Sequence, residues 1–588
     1  MATYEPEGWV LNDLLPEAGS EAMAQVIEEI QTRLASFSGF RRVLTDGVEA
    51  ETFAEALDLY EQLYADASAL AAYSYLWFSE DTANQDAVTF RARVSQLVAE
   101  IENGVLFFTL WWKQLDDETA HRLLAVSGDI RYHLETLRRF KPYTLTEGQE
   151  RVINIKDVNG VESELTIYDM ITTGLRFELT VDDEVQELTR GQLMAYTSHP
   201  SADLRADAYQ ELLHVYGEHM HVLAQIYAAR VRDWSEEQVK LRGFESPISV
   251  RNLSNHIPDS VVDTMLSVIR DQSALFRRFF RFKAGKLGVD RLRRYDLYAP
   301  LAESERGYTF DEAVRLVDES YREFSPVLAD HAMEVLDAHH LDAEIRARKM
   351  DGAYCYGALP ALTPWVLINF TGKIRDVSTL AHELGHAVHA MMASEHSVLT
   401  FHASMPMAET ASVFGEMLLM DKLLRAESDP MLRQTLLSTF LDEAYATIVR
   451  QAYFVIFERD AHRAIRDGGV PDDVNQIYLD NLREQFGSAL ALSDDFMLEW
   501  TAIPHIYHTP FYCYAYAFGN LLVLALYRKY QEIGASFVPD YLKILSYGGS
   551  ASPDEIISEA GFDIRSPDFW MSGFQLLREM LDELEELT

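Results

Sequence analysis

Cysteine is almost absent from this chain: Cys355 and Cys513 are the only two in 588 residues. Two thiols cannot make a disulfide framework, so the fold has to be held by packing. Both sit in aromatic surroundings punctuated by Gly or Pro, where a small apolar filler is a better reading than a nucleophile. Long apolar runs are missing too. No stretch approaches the roughly eighteen charge-free residues of a membrane span, and residues 1–7 lack a basic segment leading into an apolar one, so we expect a soluble, cytoplasmic protein with no membrane partner. Positive charge is scarce, with 51 Lys and Arg against 93 Asp and Glu, a net of -42. Phosphate binding needs a basic footprint, which excludes nucleic acid as a partner. A cationic peptide would be attracted, although such acidity also serves plain solubility.

Strand-like runs are few, and helical periods fill most of the chain. Polar-apolar repeats at 22–37, 51–78, 85–114 and 129–137 read as antiparallel helices, with Trp111 and Trp112 as a packing pair. Residues 141–200 are less regular, and Asn159-Gly160 signals a turn around which 152–167 would form a short hairpin. Helical periods return at 204–231, 235–244, 259–274, 309–336, 418–425, 431–460 and 472–486, while 295–300 reads as a strand or extended connector. A chain of this length exceeds one hydrophobic core. We therefore expect an N-terminal helical domain over 1–200 and a catalytic domain over 201–588. Glu458, Asp460 and His462 are polar groups in an otherwise aromatic helix, and the sequence gives them no role.

Chemistry concentrates between Thr379 and Met417. If 378–393 is helical, His382 and His386 stand on one face about 6 Å apart along the axis, close enough for two imidazoles to reach one ion. Glu383 is rotated about 100° away and is free to handle a water that the ion acidifies. Such a site needs a third protein ligand. Glu409 is the best candidate, since Pro406 three residues earlier suits the start of the next helix. Glu416, about two turns later, is placed to accept the outer N–H of a ligating histidine. His389 reads as packing or as support for the ligands, and Asp376 or Ser378 can cap the helix. The competing reading is an ordinary amphipathic helix with edge histidines.

Two flanking stretches complete the picture. Residues 352–357 form a glycine-flanked turn able to approach a ligand, and 365–370 is the clearest strand in the second half of the chain, able to offer an edge to an extended peptide. Farther on, 500–520 gathers His505, His508, Tyr512, Tyr514 and Tyr516. The three tyrosines alternate as a strand would, whereas Tyr512 and Tyr516 alone suit one helical face. Phenol and imidazole donors are what an oxyanion requires; a purely structural aromatic cluster is the alternative.

With Gly352-Ala353-Tyr354-Cys355, the strand through Asn369-Phe370, the run from Asp376 to His389 containing His382-Glu383-Leu384-Gly385-His386, the segment Glu409 to Glu416 and the stretch His505 to Tyr516, the chain resembles the oligoendopeptidase F family of zinc metallopeptidases, in the larger group that contains thimet oligopeptidase. The resemblance is strongest from about 352 to 519 and weak before about 140. It implies a mainly α, zincin-type fold with a small active-site β-sheet and helical lobes enclosing a substrate channel. It also implies one zinc ion per chain on His382, His386 and Glu409, with Glu383 as general base and short unfolded peptides as substrates. Glu416 and Asp376 would support the ligands from behind. His505, Tyr512 and Tyr516 would bind substrate and stabilise the oxyanion, with Tyr354, Asn369, Phe370, His508 and Tyr514 as further substrate contacts; His505 and His508 both remain candidates for the histidine that matters. A zinc carboxypeptidase or dipeptidase would need a cation for the terminal carboxylate, with Arg348, Lys349, Lys373 and Arg375 available. A peptide-binding protein without activity is the remaining alternative.

Overall fold

The computed structural model describes residues 4–301 and 307–587. Among the described residues the fold is mainly α-helical, with three small sheets. No helix among the described residues is long and apolar enough to cross a membrane. The chain folds into two compact units, one made of Met1–Lys141, Glu305–Ala426 and Leu526–Asp563, the other of Pro142–Ser304, Glu427–Ala525 and Ile564–Thr588. The cut expected near residue 200 divides the chain along its length. These units divide it in space, and each draws on three separate segments.

The first unit begins with the expected helices, Glu21–Ser38, Ala50–Glu80 and Gln85–Gln114. Ser20 and Asn84 cap two of them by accepting from backbone N–H groups of the first turn, which removes donors that a helix leaves unpaired. Their inner faces bury an aromatic group in which Tyr60 and Phe108 lie 4.6 Å apart between ring centres and Phe53 and Trp112 lie 5.6 Å apart. Trp112 is fully buried and donates to the Leu134 carbonyl at 2.8 Å. The helix expected over 309–336 is in fact two, Phe310–Phe324 and Pro326–Asp337, separated by Ser325 in an extended conformation. Pro326 disfavours helical backbone at the residue before it and fits the first turn of the next helix, so the repeat carries on while the axis breaks.

A three-stranded sheet leads from this helix pair to the chemistry. Strand Trp365–Leu367 lies in the middle, parallel to Leu341–Asp342 and antiparallel to Tyr354–Tyr356. The expectation that 365–370 offers its edge to a peptide is thereby overturned at 365–367, because both edges are already paired. Tyr354–Tyr356 and Leu341–Asp342 are the two outer strands. Behind the former, the buried Lys349 pairs with Asp342 at 2.9 Å and donates to the carbonyls of Asp342, Glu344 and Ile368, and Asn369 Nδ2 donates to the carbonyls of Met350 and Gly352. Gly352 takes a φ of +88°, a backbone that favours glycine.

Helix Ile374–Met392 follows and packs against Ser412–Ala426. The approach is close: a Cβ on Gly385 would lie 2.6 Å from the Ala411 carbonyl oxygen and 2.6 Å from Ser412 Cα. Only a glycine permits backbone to rest on backbone there.

The second unit corrects one reading. Residues 152–167 are helical, split between Glu147–Asn159 and Val161–Gly174 with Gly160 between them. Thr146 and Gln149 form a capping box that starts the first helix, and the Glu164 N–H donates to the Gly160 carbonyl as the second begins. The Asn159-Gly160 pair is therefore a break between helices rather than a hairpin turn. The hairpin of this region lies later, Phe177–Val181 with Glu184–Leu188, turned by Asp182 and Asp183 at φ of +52° and +64°; two central residues with positive φ suit the right-handed twist of the strands. Long helices Ala202–Trp234 and Asp259–Lys286 and the run 430–466, which passes through a π-helical segment at Tyr445–Arg450, form the body of the unit.

Replacing Gly385 with alanine should destabilise the fold by about 1–3 kcal/mol, because the added methyl meets fixed backbone rather than a movable side chain. Equilibrium unfolding in urea measures this. Unchanged stability would show that the two helices do not rest on each other here.

Candidate metal centre

His382 and His386 come from consecutive turns of helix Ile374–Met392, their rings 4.8 Å apart and nearly perpendicular. Glu409 does not open the next helix, as its place in the sequence repeat suggested. It follows the short helix Met405–Ala408, with φ of -82° and ψ of 0°, and the next helix begins at Ser412. The Gly385 contact brings this junction against the histidine helix. Glu409 Oε2 lies 3.4 Å from His382 Nε2 and 3.5 Å from His386 Nε2.

These distances test whether an ion fits. Ligands bound at about 2.1 Å in a tetrahedron are roughly 3.4 Å from one another, and the carboxylate sits at that separation from both imidazoles. The three donor atoms all lie within 4.8 Å of each other. Charge points the same way. Burial opposes a proton on His382, but the hydrogen bond it donates to Glu416 and the charges of Glu416, Glu409 and Glu383 outweigh it and lift this imidazole to about 9. Three carboxylates around two imidazoles are short of positive charge, which a divalent ion supplies. Burial pushes His386 down, against the pull of Glu409. The donor set therefore fits a small divalent metal ion.

Two of the three candidate ligands have a side-chain partner of their own. His382 Nδ1 donates to Glu416 Oε1 at 2.5 Å, which leaves the Nε2 lone pair facing the centre. Ser412 Oγ donates to Glu409 Oε2 at 2.7 Å. Ser412 lies within the segment Glu409 to Glu416, yet nothing in the sequence assigned it a role; its spacing, three residues after a candidate ligand at a helix start, was the available signal. Asp376 accepts from the N–H groups of Thr371 and Lys373 and from the Thr371 hydroxyl, fixing the start of the histidine helix. His389 is buried one turn on and is pushed down to about 4 by burial and then by its neighbour His386.

Glu383 is 6% exposed and borders a cavity of about 370 Å³ that also meets Tyr354, Cys355, Phe401 and His402. Burial, reinforced by Glu409 and Glu416 and opposed by His382, raises its carboxyl to about 7. The far wall went unread in the sequence. Asp129 accepts from the Ser397 N–H, the Thr400 hydroxyl and His396, and thereby holds the loop that presents Phe401 and His402. Phe370, expected to touch substrate, packs edge-on against Phe310 at 5.4 Å, and the Asn369 amide is engaged with the 350–352 loop.

His505, Tyr512 and Tyr516 belong to the second unit, where they stand together. The His505 and Tyr512 rings are parallel at 6.0 Å, and Tyr516 meets both edge-on at 6.1 and 5.1 Å. All three are partly exposed in a stretch whose Ile506, Tyr507, Phe511, Cys513 and Ala515 are buried. Neither alternative for the tyrosines is realised in full: helix Tyr514–Ile533 carries Tyr514 and Tyr516, and Tyr512 lies in the turn before it. Tyr514 consequently points inward: it is fully buried, and its hydroxyl accepts from Asn255 Nδ2 at 2.8 Å, so it packs rather than meets a peptide. His508 pairs with Asp169 at 2.9 Å. One other convergence of acids in this unit, Asp157 with Asp233 and Glu237, lacks a histidine and is answered by Arg230 and Arg242.

Known proteins are similar to this one across most of the chain. The profile of Peptidase family M3 matches residues 195–576, and that of Oligopeptidase F matches 111–177. Oligopeptidase PepF of Bacillus subtilis is 24% identical over 98% of this chain and 87% of its own, and group B oligopeptidase PepB of Streptococcus agalactiae is 25% identical over 97% and 96%. Among solved structures, a putative peptidase from Chlamydophila abortus superposes with a TM-score of 0.87 at 24% identity, covering 99% of this chain and 98% of that one. Oligoendopeptidase-F from Enterococcus faecium gives 0.72 at 22%, covering 96% and 98%. The M3 profile spans well over half of the chain and encloses both histidines, Glu383 and Glu409, and on that ground the chain belongs to peptidase family M3, in its oligoendopeptidase F group, and is a metalloendopeptidase.

Proposed function

We propose that this protein is a cytoplasmic, zinc-dependent oligopeptidase that cuts internal bonds of short unfolded peptides. The observation that carries the reading is that Glu409 Oε2 stands at tetrahedral spacing from both His382 Nε2 and His386 Nε2, with the buried Glu383 next to the first histidine on the same helix. Two imidazoles and one carboxylate suit zinc; magnesium and calcium favour all-oxygen sites. Zinc bound there supplies a Lewis acid for the scissile carbonyl and makes its bound water acidic near neutral pH. Glu383 takes the proton of the attacking water on its carboxylate and returns it to the leaving amine. Burial, the largest influence on Glu383, favours its neutral form and so keeps the carboxyl from holding its charge as firmly as it would in water, which suits a group that must take a proton and give it back. Glu416 and Ser412 orient the ligands. Of the two outer strands, Tyr354–Tyr356 is the one to which an extended peptide would add, because Tyr354 borders the cavity.

The roles of His505, Tyr512 and Tyr516 as donors to substrate and oxyanion rest on the family resemblance, supported by their clustering and partial exposure. Internal cleavage is favoured over carboxypeptidase action by two of the four cations considered for a terminal carboxylate. Lys349 is buried in the sheet, and Arg348 pairs with Asp81 at 2.9 Å. The relatives named as oligopeptidases support short substrates. The cytoplasmic assignment is in keeping with two cysteines that are both free.

Protein purified without chelator should contain one zinc per chain, lose activity on chelation and regain it with zinc. Glu383→Gln should retain the metal while the rate falls at least about 100-fold, the lower end of what a general base contributes; cleavage at the parental rate with full zinc would assign the proton to another group. Glu416→Ala should weaken metal retention or rate by about 10- to 100-fold, and a spectroscopic coordination shell containing Glu416 would replace Glu409 as ligand. A decapeptide blocked at both ends should be cut internally, and the same sequence inside a folded domain should resist. Release of single residues from free C-termini, with the blocked peptide untouched, would turn the assignment to a carboxypeptidase.

A further inference from the structure

Glu458 is fully buried on helix Gln451–Arg466, and the proposed chemistry makes no use of it. Its surroundings give it one specific task. Glu458 Oε2 accepts from the Phe511 N–H at 2.8 Å. On the other side of the same peptide group, the Pro510 carbonyl accepts from Arg251 Nε at 3.3 Å. Arg251 comes from the short helix Ser249–Ser254, and its charge is influenced by Glu458, Tyr512 and Tyr514. The Pro510–Phe511 peptide is thus gripped at both its polar atoms by side chains from two different helices.

That peptide needs holding. Phe511 has a φ of +59°, in the left-handed region that a bulky side chain avoids, and its ring is fully buried. Residues around it turn tightly, the Tyr512 N–H donating to the Thr509 carbonyl and the Ala515 N–H to the Tyr512 carbonyl. The direction in which Tyr512 leaves this turn is set by the backbone immediately before it. An apolar residue at 458 would leave a buried N–H without its acceptor and the strained residue without its restraint.

We infer that Glu458 is a positioning residue: with Arg251 opposite, it fixes the Pro510–Phe511 peptide and thereby the place of the Tyr512 ring beside His505 and Tyr516. The inference rests on the role in turnover proposed above for Tyr512.

The test is a double-mutant cycle on the full-length zinc enzyme with a blocked peptide. Glu458→Ala should lower kcat by about 10- to 100-fold, the effect of a donor displaced by about an ångström, with KM within about 2-fold of the parent. Glu458→Gln keeps a carbonyl acceptor for the Phe511 N–H and should recover kcat to within about 3-fold. In a Tyr512→Phe background, Glu458→Ala should lower kcat by less than about 2-fold further. Should Glu458→Ala fail to fold, Arg251→Met removes the other grip and should show the same loss in kcat and the same non-additivity. A loss of equal size in the presence and absence of the Tyr512 hydroxyl overturns the inference while leaving the role of Tyr512 intact. An unchanged kcat in Tyr512→Phe alone removes that role and the inference with it.

Discussion

The absence of a side chain at Gly385 is the constraint on which the metal centre depends. The two histidines are local, one turn apart on one helix, and any helix could place them so. The third donor is not local, and it reaches them only because the backbone at Ala411 and Ser412 rests directly on the backbone of the histidine helix. A second glycine acts nearby: Gly415 gives room to Tyr321, whose hydroxyl donates to the Ala381 carbonyl one residue before the first histidine. Packing at two positions without side chains thereby sets distances of a few ångströms between donor atoms, which is the tolerance a metal centre needs.

Electrostatics then makes this packed region reactive. Glu416, Glu409 and Glu383 all act on His382, while burial, reinforced by Glu409 and Glu416, raises Glu383. Without a cation, such a cluster opposes itself; in the proposed reading each carboxylate has a distinct place, as ligand, as base and as support for a ligand. The overall charge of -42 is a separate matter. Much of the acid lies on exposed helical faces, whereas buried cations such as Lys283, Arg294 and Lys349 are paired with Asp442, Glu499 and Asp342, because an unpaired charge in the interior is strongly unfavourable.

Helices and the histidine pair were legible because both depend on short-range repeats. The period at 85–114 reproduces helix Gln85–Gln114, and the spacing from His382 to His386 is itself a helical turn. What failed to read were features decided by tertiary packing. Asn159-Gly160 is a strong turn signal, but whether it joins strands or helices depends on the flanking periods, and the capping box at Thr146 and Gln149 tips it toward helix. The strand at 365–367 was found, yet its position in the middle of the sheet depends on partners at 341–342 and 354–356 that are only two and three residues long. Ser412 and Asp129 are ordinary polar residues until the fold sets one against Glu409 and the other beneath the cavity wall.

The stretch 504–517 shows how a local pattern can be correct and still ambiguous. Three tyrosines at alternate positions fit a strand, and two of them fit a helix, so spacing alone could not assign them. The decision is made at Phe511, where the chain adopts a backbone that neither periodicity contains. After that turn the helix begins at Tyr514, and Tyr512 and Tyr516 share a side while Tyr514 faces Asn255 in the interior. The residues that hold this reversal, Arg251 and Glu458, lie more than fifty positions away in sequence, and no local pattern shows that they meet it. Local preference and tertiary packing therefore disagree most strongly beside the aromatic cluster, which is where a departure from regular backbone is tolerated when function requires it.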